Sequence, residues 1–360
     1  MLIINDIHIG VNRSGGTTVQ SQVELQDAIL QQLEACIEEE SHHVVVNGDL
    51  FDSFSVDLRH VISTYGILSD WVNEHKSRLT LIAGNHDWSP KDGRVSSFHL
   101  LGFMLTKGNI RGLVEILDYR SGFYRICDGV YCIPHMPNQN MFDDVILEAV
   151  KSSHDGQYLL LHCNYRNNFT ANSDHSLNLS ENQVDQLMEA GWTLIIGHEH
   201  KGYTLRGGRV IVVGNQFPTS ISDCIDDTEK RMLNLNLLNR KHDEVEMITT
   251  WESKGQYEEI DWKDLEHSST EAKFIRVIGA ASIGESSDVV RAMSKFRQAS
   301  TAFIISNAVK VESHTLSSDI EISSMEEIQS FNVFDALMSE LSEDERDVIK
   351  QLYDQEMDLY

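Results

Sequence analysis

No hydrophobic run in the 360-residue sequence approaches the length of about 20 residues that a membrane-spanning helix needs. The opening residues, Met-Leu-Ile-Ile-Asn-Asp, contain no basic side chain and soon become polar, whereas a secretory signal begins with basic residues and continues with a longer apolar segment. These two absences predict a cytoplasmic protein.

Cysteine is scarce: the chain has five, and none forms a Cys-x-x-Cys pair. An odd number without paired spacing argues against a disulfide framework or a zinc ribbon and favours reduced thiols. The cysteines are Cys36, Cys127, Cys132, Cys163 and Cys224. Cys163 directly follows a histidine, but adjacent strand residues face opposite ways, so we expect a buried thiol.

Basic residues are also few, since 29 Lys and Arg stand against 56 Asp and Glu, for a formal charge of −27. A protein that grips a nucleic-acid backbone alone usually has a basic face, so this charge weighs against a stand-alone DNA binder. The excess is uneven, because residues 311–360 hold fourteen acidic residues and two basic ones. Bound divalent cations would offset part of the negative charge locally, so that a phosphate group can approach. The acidic charge suggests that another subunit holds the nucleic acid.

Five apolar segments are each followed by a polar cluster rich in His, Asp and Asn. Three valines at 44–46 lead to Gly48, which allows a tight turn, and then to Asp49 and Asp52. The other four segments lead to Asp6 and His8, to Asn85, His86 and Asp87, to His162, and to His198 and His200. Open α/β sheets bind ligands at the carboxyl ends of their strands, so all five clusters stand where a site is expected. In Asp-x-His and His-x-His the outer residues project to the same side, which lets both reach one centre.

Helical and strand patterns alternate through the first part of the chain. Residues 22–40 and 58–74 have the apolar spacing of amphipathic helices between strand segments, which predicts βαβ units in a layered α/β domain. Residues 88–112 are predicted to be a long loop beside the site with a short helix inside it. Strands are predicted at 122–126, 130–133, 158–162, 192–196 and 209–213, with helices at 143–151 and 180–190, the second capped by Ser180.

The last third of the chain has a different pattern. Residues 254–272 are charged and aperiodic, and we interpret them as a linker. A strand at 273–280, a helix at 287–298 and a strand at 301–311 predict a small β-α-β unit. Two short amphipathic helices are predicted at 328–341 and 342–353. They are suited to docking on a partner, although the same pattern is compatible with helices that fold back on the domain.

The polar clusters together offer enough oxygen and imidazole ligands for two divalent metal ions. A bridging carboxylate can hold two ions about 3.5–4 Å apart, so that they share a water and clamp a phosphoryl oxygen. Asp49, which follows a central strand, is the predicted bridge. Each residue alone has a simpler interpretation: His162 would be a core histidine bonded to the backbone, and Asp6 a turn former.

Taken in sequence order, the five polar clusters resemble the complete motif set of the calcineurin-like metallophosphoesterases. The forms Asp-x-His-x-Gly, Gly-Asp-Leu-Phe-Asp and Gly-Asn-His-Asp are most similar to SbcD-type nuclease subunits and their phage, archaeal and eukaryotic relatives. The resemblance implies an αββα sandwich with a small β-α-β capping domain and a helical tail. It places the nuclease domain at 1–255, the capping domain at 256–315 and the tail at 316–360.

The resemblance also implies roles for individual residues. One metal would be held by Asp6, His8, Asp49 and His200, and the other by Asp49, Asn85, His162 and His198. His86 would contact the scissile phosphate and protonate the leaving oxygen, oriented by Asp52. Manganese is the usual metal in these nucleases, and magnesium is the alternative. Archaeal and eukaryotic relatives often carry histidine at the Asp52 position, so the details of phosphate contact and exonuclease polarity do not transfer.

The function so implied is that of a DNA exonuclease or endonuclease subunit acting in end processing, repair or recombination. Its partners would be DNA and an SbcC-like SMC-type ATPase bound by the C-terminal helices, in a heterotetramer containing a homodimer of this chain. Its location would be the host cytoplasm if it is phage-encoded. A phosphomonoesterase or protein phosphatase is one alternative, but those favour Gly-Asn-His-Glu and an arginine after the Asp52 position, where this chain has Asp87 and Ser53. A scaffold that holds DNA ends without catalysis is another.

Overall fold

The computed structural model describes residues 1–38, 41–88, 94–107, 112–152, 157–165, 176–220, 223, 229–237, 245–252 and 256–312. Residues Met1–Val311 form one compact unit. The predicted tail helices and Cys224 lie outside the described residues. Among the helices that are described, none combines the length and the apolar character required to cross a bilayer.

Helices and strands alternate along the described chain. The helices are α1 (Val19–Ile37), α2 (Leu58–His75), α3 (Ser97–Lys107), α4 (Gln139–Lys151), α5 (Glu181–Glu189) and α6 (Ser286–Ala299). The first strands are β1 (Leu2–Ile4), β2 (His43–Asn47), β3 (Arg78–Ile82), β4 (Val114–Leu117), β5 (Tyr124–Cys127), β6 (Val130–Ile133), β7 (Gln157–His162), β8 (Asn164–Tyr165), β9 (Asn178–Leu179) and β10 (Trp192–Gly197). They are followed by β11 (Tyr203–Leu205), β12 (Val210–Val212), β13 (Glu229–Leu235), β14 (Val245–Glu252), β15 (Tyr257–Asp261), β16 (Phe274–Ile278), β17 (Ala280–Ser282), β18 (Phe303–Asn307) and β19 (Lys310–Glu312).

Two six-stranded sheets form the centre of the molecule. The first has the order β14-β13-β1-β2-β3-β4, and the second β11-β12-β10-β7-β6-β5. Strands β1 to β4 are parallel, as are β6, β7, β10 and β12. All the strands that carry the polar clusters are therefore parallel to their neighbours within these runs, and their carboxyl ends meet at a common edge of each sheet.

Both faces of these central strands are buried, which explains their nearly continuous apolar sequences. Ile3 and Val45 of the first sheet share a core with Leu160 and other inward residues of the second. The outer face of the first sheet packs on α1, α2 and α3, and that of the second on α4 and α5. The layers are helix, sheet, sheet, helix, so the α/β sandwich expected from the sequence is confirmed.

Helix boundaries follow local capping signals. The Thr18 side chain accepts a hydrogen bond from the Ser21 amide, and α1 therefore begins at Val19, before the predicted start. The predicted cap of α5 is confirmed, since Ser180 and Gln183 form a reciprocal capping box. This helix leads into β10, the strand that precedes His198.

The predicted linker at 254–272 is wrong. Tyr257–Asp261 forms β15, which pairs in parallel with β16 and places Tyr257 opposite Phe274. Two acidic residues in this strand are exposed and only Ile260 is buried, so the sequence shows little apolar alternation. Trp262 and Leu265, just beyond the strand, are buried as well.

The β-α-β unit predicted after this segment is present, because β16 and β18 are parallel and flank α6. Phe274 is fully buried and joins the core beneath the first sheet's helices, where Tyr257 and Phe303 pack against it. The boundary between a nuclease domain and a capping domain at residue 255 stays a prediction.

Candidate metal and catalytic site

The structure brings all five polar clusters together at one edge of the sandwich. Asp6 and His8 follow β1, Asp49 follows β2, and Asn85 and His86 follow β3. From the second sheet, His162 is the last residue of β7, while His198 and His200 follow β10. Because the two sheets pack face to face, loops separated by as many as 194 residues in sequence contribute to one site.

Four of these residues lie in a backbone conformation that L-residues seldom adopt. The φ angles of Asp6, His8, Asp49 and His198 are 50°, 54°, 46° and 92°. Such positions cost on the order of 1–3 kcal/mol each and cluster at functional sites. Backbone hydrogen bonds hold two of the turns together, from the Asp6 amide to Gly48 O at 3.2 Å and from the His8 amide to Asp49 O at 3.0 Å.

Two glycines allow the site to close. A Cβ on Gly48 would lie 1.9 Å from His162 Nδ1, and one on Gly84 would lie 2.1 Å from Asp49 Oδ1. Gly48 also has a φ of +89°. These glycines of the Gly-Asp and Gly-Asn-His motifs therefore make room for ligand side chains from other loops.

Asp49 lies at the centre of the site. Its Oδ2 is 3.2 Å from His162 Nε2 and 3.9 Å from both His8 Nε2 and His86 Nε2. Its Oδ1 accepts a hydrogen bond from the His86 amide at 2.9 Å. Asp49 is only 1% exposed, so this carboxylate is positioned by neighbours from three other loops rather than by solvent.

Among the described residues, potential ligand side chains form three overlapping groups, of which one is His8, Asp52 and His86 and the other two both contain Asp49. Asp6, His8 and Asp49 have potential ligand atoms within 4.8 Å of one another, and so do Asp49, His162 and His198. Asn85 joins the second set, with its Oδ1 3.1 Å from His162 Nε2 and 2.9 Å from His198 Nδ1. His200 lies beside the first set, its ring centroid 5.1 Å from that of His8.

Three histidines of the site have Nδ1 beside an oxygen atom. The Nδ1 atom of His162 contacts Asn47 O at 3.1 Å, and that of His200 contacts Thr219 Oγ1 at 2.9 Å. His8 Nδ1 lies 3.3 Å from Asp52 Oδ1. Holding one ring nitrogen on an oxygen fixes the ring and leaves Nε2 for a metal. Within the described residues, neither ring nitrogen of the fully buried His8 has a hydrogen-bond partner, which leaves Nε2 open to a metal ion.

His86 lies at the rim of this centre, with 30% of its side chain exposed. Its Nδ1 lies 2.6 Å from the main-chain carbonyl of Asp52. The orienting contact from Asp52 thus uses the backbone. The Asp52 carboxylate instead contacts His8 and forms a two-pronged pair with Arg13, at 3.1 and 2.7 Å.

The electrostatics of the site show groups that stabilise one another's charges. Burial alone would lower the pKa of His162, but Asp49 and Asp6 outweigh it and raise that pKa to about 10. Burial tends to raise the pKa of Asp49, but His162 and the other imidazoles hold it well below its ordinary value. Bound cations would replace the protons on these histidines, since metal ligands must be unprotonated.

Asp87 and Arg13 support the motif loops without belonging to either proposed ligand set. Asp87 is buried and accepts hydrogen bonds from the Leu50, Phe51 and Gly84 amides, which ties two motif loops together. Burial, and then Asp49, raise its pKa to about 7. Sequence reasoning predicted that Asp87 braces its own loop but missed Arg13, because Arg13 lies outside every motif. Only its position a few residues after the first motif could have drawn attention to it.

Comparisons with known proteins agree with this geometry. A profile of the calcineurin-like phosphoesterase family matches residues 1–202. The chain is also similar to the DNA double-strand break repair protein Mre11 of Saccharolobus solfataricus, at 26% identity over 163 residues. That alignment covers 45% of this chain and 40% of the relative, so the similarity spans less than half of each protein.

The family profile covers more than half of the chain and includes all five polar clusters. Members of this family are dinuclear metal enzymes that hydrolyse phosphoesters, and this chain has the His and Asp clusters to bind such metals. On this basis the chain belongs to the calcineurin-like phosphoesterase family.

Proposed function

We propose that this chain is the nuclease subunit of a DNA-processing complex and hydrolyses phosphodiester bonds with two divalent metals. The observation that carries the proposal is the convergence of His162, His8 and His86 on one oxygen of Asp49, at 3.2 to 3.9 Å. Such a carboxylate can serve two cations at once. One fold and one site geometry can hydrolyse several kinds of phosphoester, so residues outside the metal site must distinguish between the substrates.

The proposed ligand sets remain those implied by the resemblance. Asp6, His8, Asp49 and His200 would hold one ion, and Asp49, Asn85, His162 and His198 the other. When bound, such a metal pair supplies a nucleophile at neutral pH and neutralises charge on the phosphate. We propose Mn²⁺ as the preferred metal and Mg²⁺ as the alternative.

His86 is the proposed acid for the leaving oxygen. A carbonyl accepts but cannot donate, so the contact with Asp52 O requires a proton on Nδ1. Nε2 is then the nitrogen that would pass a proton to the leaving oxygen, and it lies 3.9 Å from Asp49 Oδ2. A cationic His86 can both contact an anionic phosphate and donate that proton.

Two features support DNA as the substrate. Asp87 completes the Gly-Asn-His-Asp form of the nuclease relatives and occupies a buried position where it holds its own loop. The similar protein from Saccharolobus solfataricus is named for DNA double-strand break repair. We also propose that residues 316–360 bind an SbcC-like SMC-type ATPase, because the chain's acidic charge disfavours holding DNA alone.

The purified protein should be tested with Mn²⁺ on linear duplex DNA, on single-stranded DNA and on an aryl phosphate, with and without the ATPase. Cleavage of DNA that stops when EDTA is added supports the proposal. Hydrolysis of the aryl phosphate alone would favour a phosphomonoesterase. DNA binding without any hydrolysis would indicate a scaffold.

A further inference from the structure

A cleft of about 920 Å³ opens beside the candidate site. One wall is α1 and the other is the start of α2, and the rest of the lining is Gly10, Asn12, Arg13, Gly16, Thr17 and Ile305 of β18. This volume is near the upper end of the range for ligand pockets, roughly 300–1,000 Å³. The cleft is continuous with the first motif, since Gly10 belongs to its lining and to the Asp-x-His-x-Gly sequence.

Arg13 connects this cleft to the site. The Arg13 guanidinium pairs with the carboxylate of Asp52. That carboxylate is also 3.3 Å from Nδ1 of His8, a proposed metal ligand, so only the Asp52 side chain separates Arg13 from the proposed metal site. Half of the Arg13 side chain is exposed, whereas Asp52 is only 11% exposed. The guanidinium has five N–H donors, and those not used by Asp52 remain for an anion.

The two walls of the cleft differ in chemistry. Arg59 and His60 line the α2 side, and Arg59 is 80% exposed. On the α1 side, Val19 and Val23 are exposed apolar residues, at 82% and 48%, and Asp27 is an exposed carboxylate. Arginine on one side and exposed aliphatic carbon on the other suit a ligand with an anionic edge and an apolar edge.

We propose that this cleft binds one strand of the nucleic-acid substrate and that Arg13 contacts a phosphate next to the scissile one. The inference rests on the proposed nuclease function and names the path of its substrate. Sugars and bases would pack against Val19, Val23 and Ile305, while the backbone follows Arg13 and Arg59. Arginine suits this role because its planar donors match phosphate oxygens in pairs.

The volume of the cleft, about 920 Å³, lies within the range of small-ligand pockets and favours a single strand over a duplex. The pairing with Asp52 also orders the Arg13 side chain before the substrate arrives. A donor that is already ordered loses less entropy on binding.

Binding of a fluorescent single-stranded oligonucleotide in EDTA tests the inference without any hydrolysis. Arg13→Gln should weaken binding about 10-fold, the effect of losing one charge-assisted contact. The slope of log affinity against log salt should fall by about 0.7, the value for one phosphate contact on a single strand. Asp27→Asn should tighten binding, because Asp27 is an exposed carboxylate in the same lining.

Arg125→Gln is the matched control. Arg125 is a half-exposed arginine paired with Asp128, but it lies on β5 and does not line the cleft. Equal affinity of the Arg13→Gln and Arg125→Gln proteins, or weaker binding after Asp27→Asn, would overturn the inference even if the wild-type protein cleaves DNA. A wild-type protein that neither binds nor cleaves DNA but hydrolyses an aryl phosphate would overturn the nuclease function, and the inference with it.

Discussion

The side chain of Asp49 connects two groups of potential metal ligands in the site. It belongs to two of the three groups of potential ligands, and His8 is the other residue shared between groups. Both carboxylate oxygens have neighbours, since Oδ1 accepts from the His86 amide while Oδ2 faces the imidazoles. A single residue therefore sets the spacing between the two proposed metals.

Replacing His86 should separate catalysis from metal binding. His86 contacts Asp52 O and the outer side of Asp49, and neither proposed ligand set includes it. We expect His86→Gln to reduce kcat for phosphodiester hydrolysis about 10²–10⁴-fold, the usual contribution of a positioned acid. Mn²⁺ content, measured by mass spectrometry of the protein after gel filtration, should stay at two per chain. Loss of both ions would show that His86 is a ligand.

Gly84 should tolerate no side chain. An alanine Cβ there would lie 2.1 Å from Asp49 Oδ1 and 2.4 Å from the Asp49 amide nitrogen. We expect Gly84→Ala to lower the free energy of unfolding by about 1–3 kcal/mol through overpacking and to impair Mn²⁺ binding. Thermal unfolding and calorimetric metal titration measure the two effects.

Gly66 provides the matched control for this substitution. It lies inside α2, and among the described residues no group outside the neighbouring helix backbone comes within 4 Å of the position that a Cβ would take there. Gly66→Ala should therefore stabilise the protein by about 0.5–1 kcal/mol, because alanine loses less backbone entropy in a helix. If Gly84→Ala were as well tolerated as Gly66→Ala, the close approach at Asp49 would be incorrect.

At the scale of single residues, the sequence predicted which side chains meet but not how they are held. The motif residues Asp6, Asp49 and His162 converge as expected from their places at strand ends. The positive φ angles of Asp6 and Asp49 could not be predicted from the sequence, because aspartate does not require that conformation. The contact from His8 to Asp52 joins residues from separate loops, and pairing of that kind depends on the folded geometry.

At the scale of elements, strands buried on both faces were the easiest to predict. β2 is fully buried along its length, and its three valines mark it clearly. β13 and β14 were missed, since they lie beyond the motifs and alternate buried with partly exposed positions in β13. The sequence of β15 resembles a linker because the exposed Glu258 and Glu259 interrupt its apolar pattern. Its pairing with β16 stabilises a strand that local propensity does not favour.

The start of β2 should make stability depend on pH. His43 is buried there and contacts Thr80 Oγ1 at 2.8 Å. Burial, helped by the positive charges of Arg78 and the N-terminus, lowers its pKa to about 4. The unfolded chain, with a pKa of about 6.5, binds a proton more readily. The contribution of His43 is therefore complete above about pH 6.5 and falls as the pH drops towards 4, by up to about 3 kcal/mol.

Comparison with a neutral variant isolates this effect from the other titrating groups. The difference in unfolding free energy between wild type and His43→Gln should shift against the wild type as the pH falls from about 6.5 to 4. Urea denaturation at several pH values measures it. A difference that does not change with pH would mean that His43 is protonated equally in the folded and unfolded states.

At the scale of the whole molecule, the charge distribution suggests that catalysis and partner binding belong to different parts of the chain. Residues 311–360 carry fourteen acidic and two basic side chains, and they follow the compact unit formed by Met1–Val311. The site lies in that unit and needs cations to bring in a phosphate. An acidic segment with apolar residues at helical spacing is suited to a protein partner rather than to DNA.

Deleting residues 325–360 should therefore abolish binding of the proposed ATPase partner while residues 1–311 remain folded. The shortened chain is expected to keep the melting temperature of Met1–Val311, because that unit contains the described cores. Binding to the SbcC-like ATPase, measured by co-purification, should be lost. If the shortened chain still forms the complex, the docking surface lies elsewhere.

The central claim is that loops from both sheets hold two cations on either side of Asp49. Anomalous scattering from a crystal grown with Mn²⁺ tests it most directly. We expect two peaks, one beside Asp6, His8 and His200 and the other beside Asn85, His162 and His198, with Asp49 between them. A single peak, or none within reach of Asp49, would contradict the proposed metal centre.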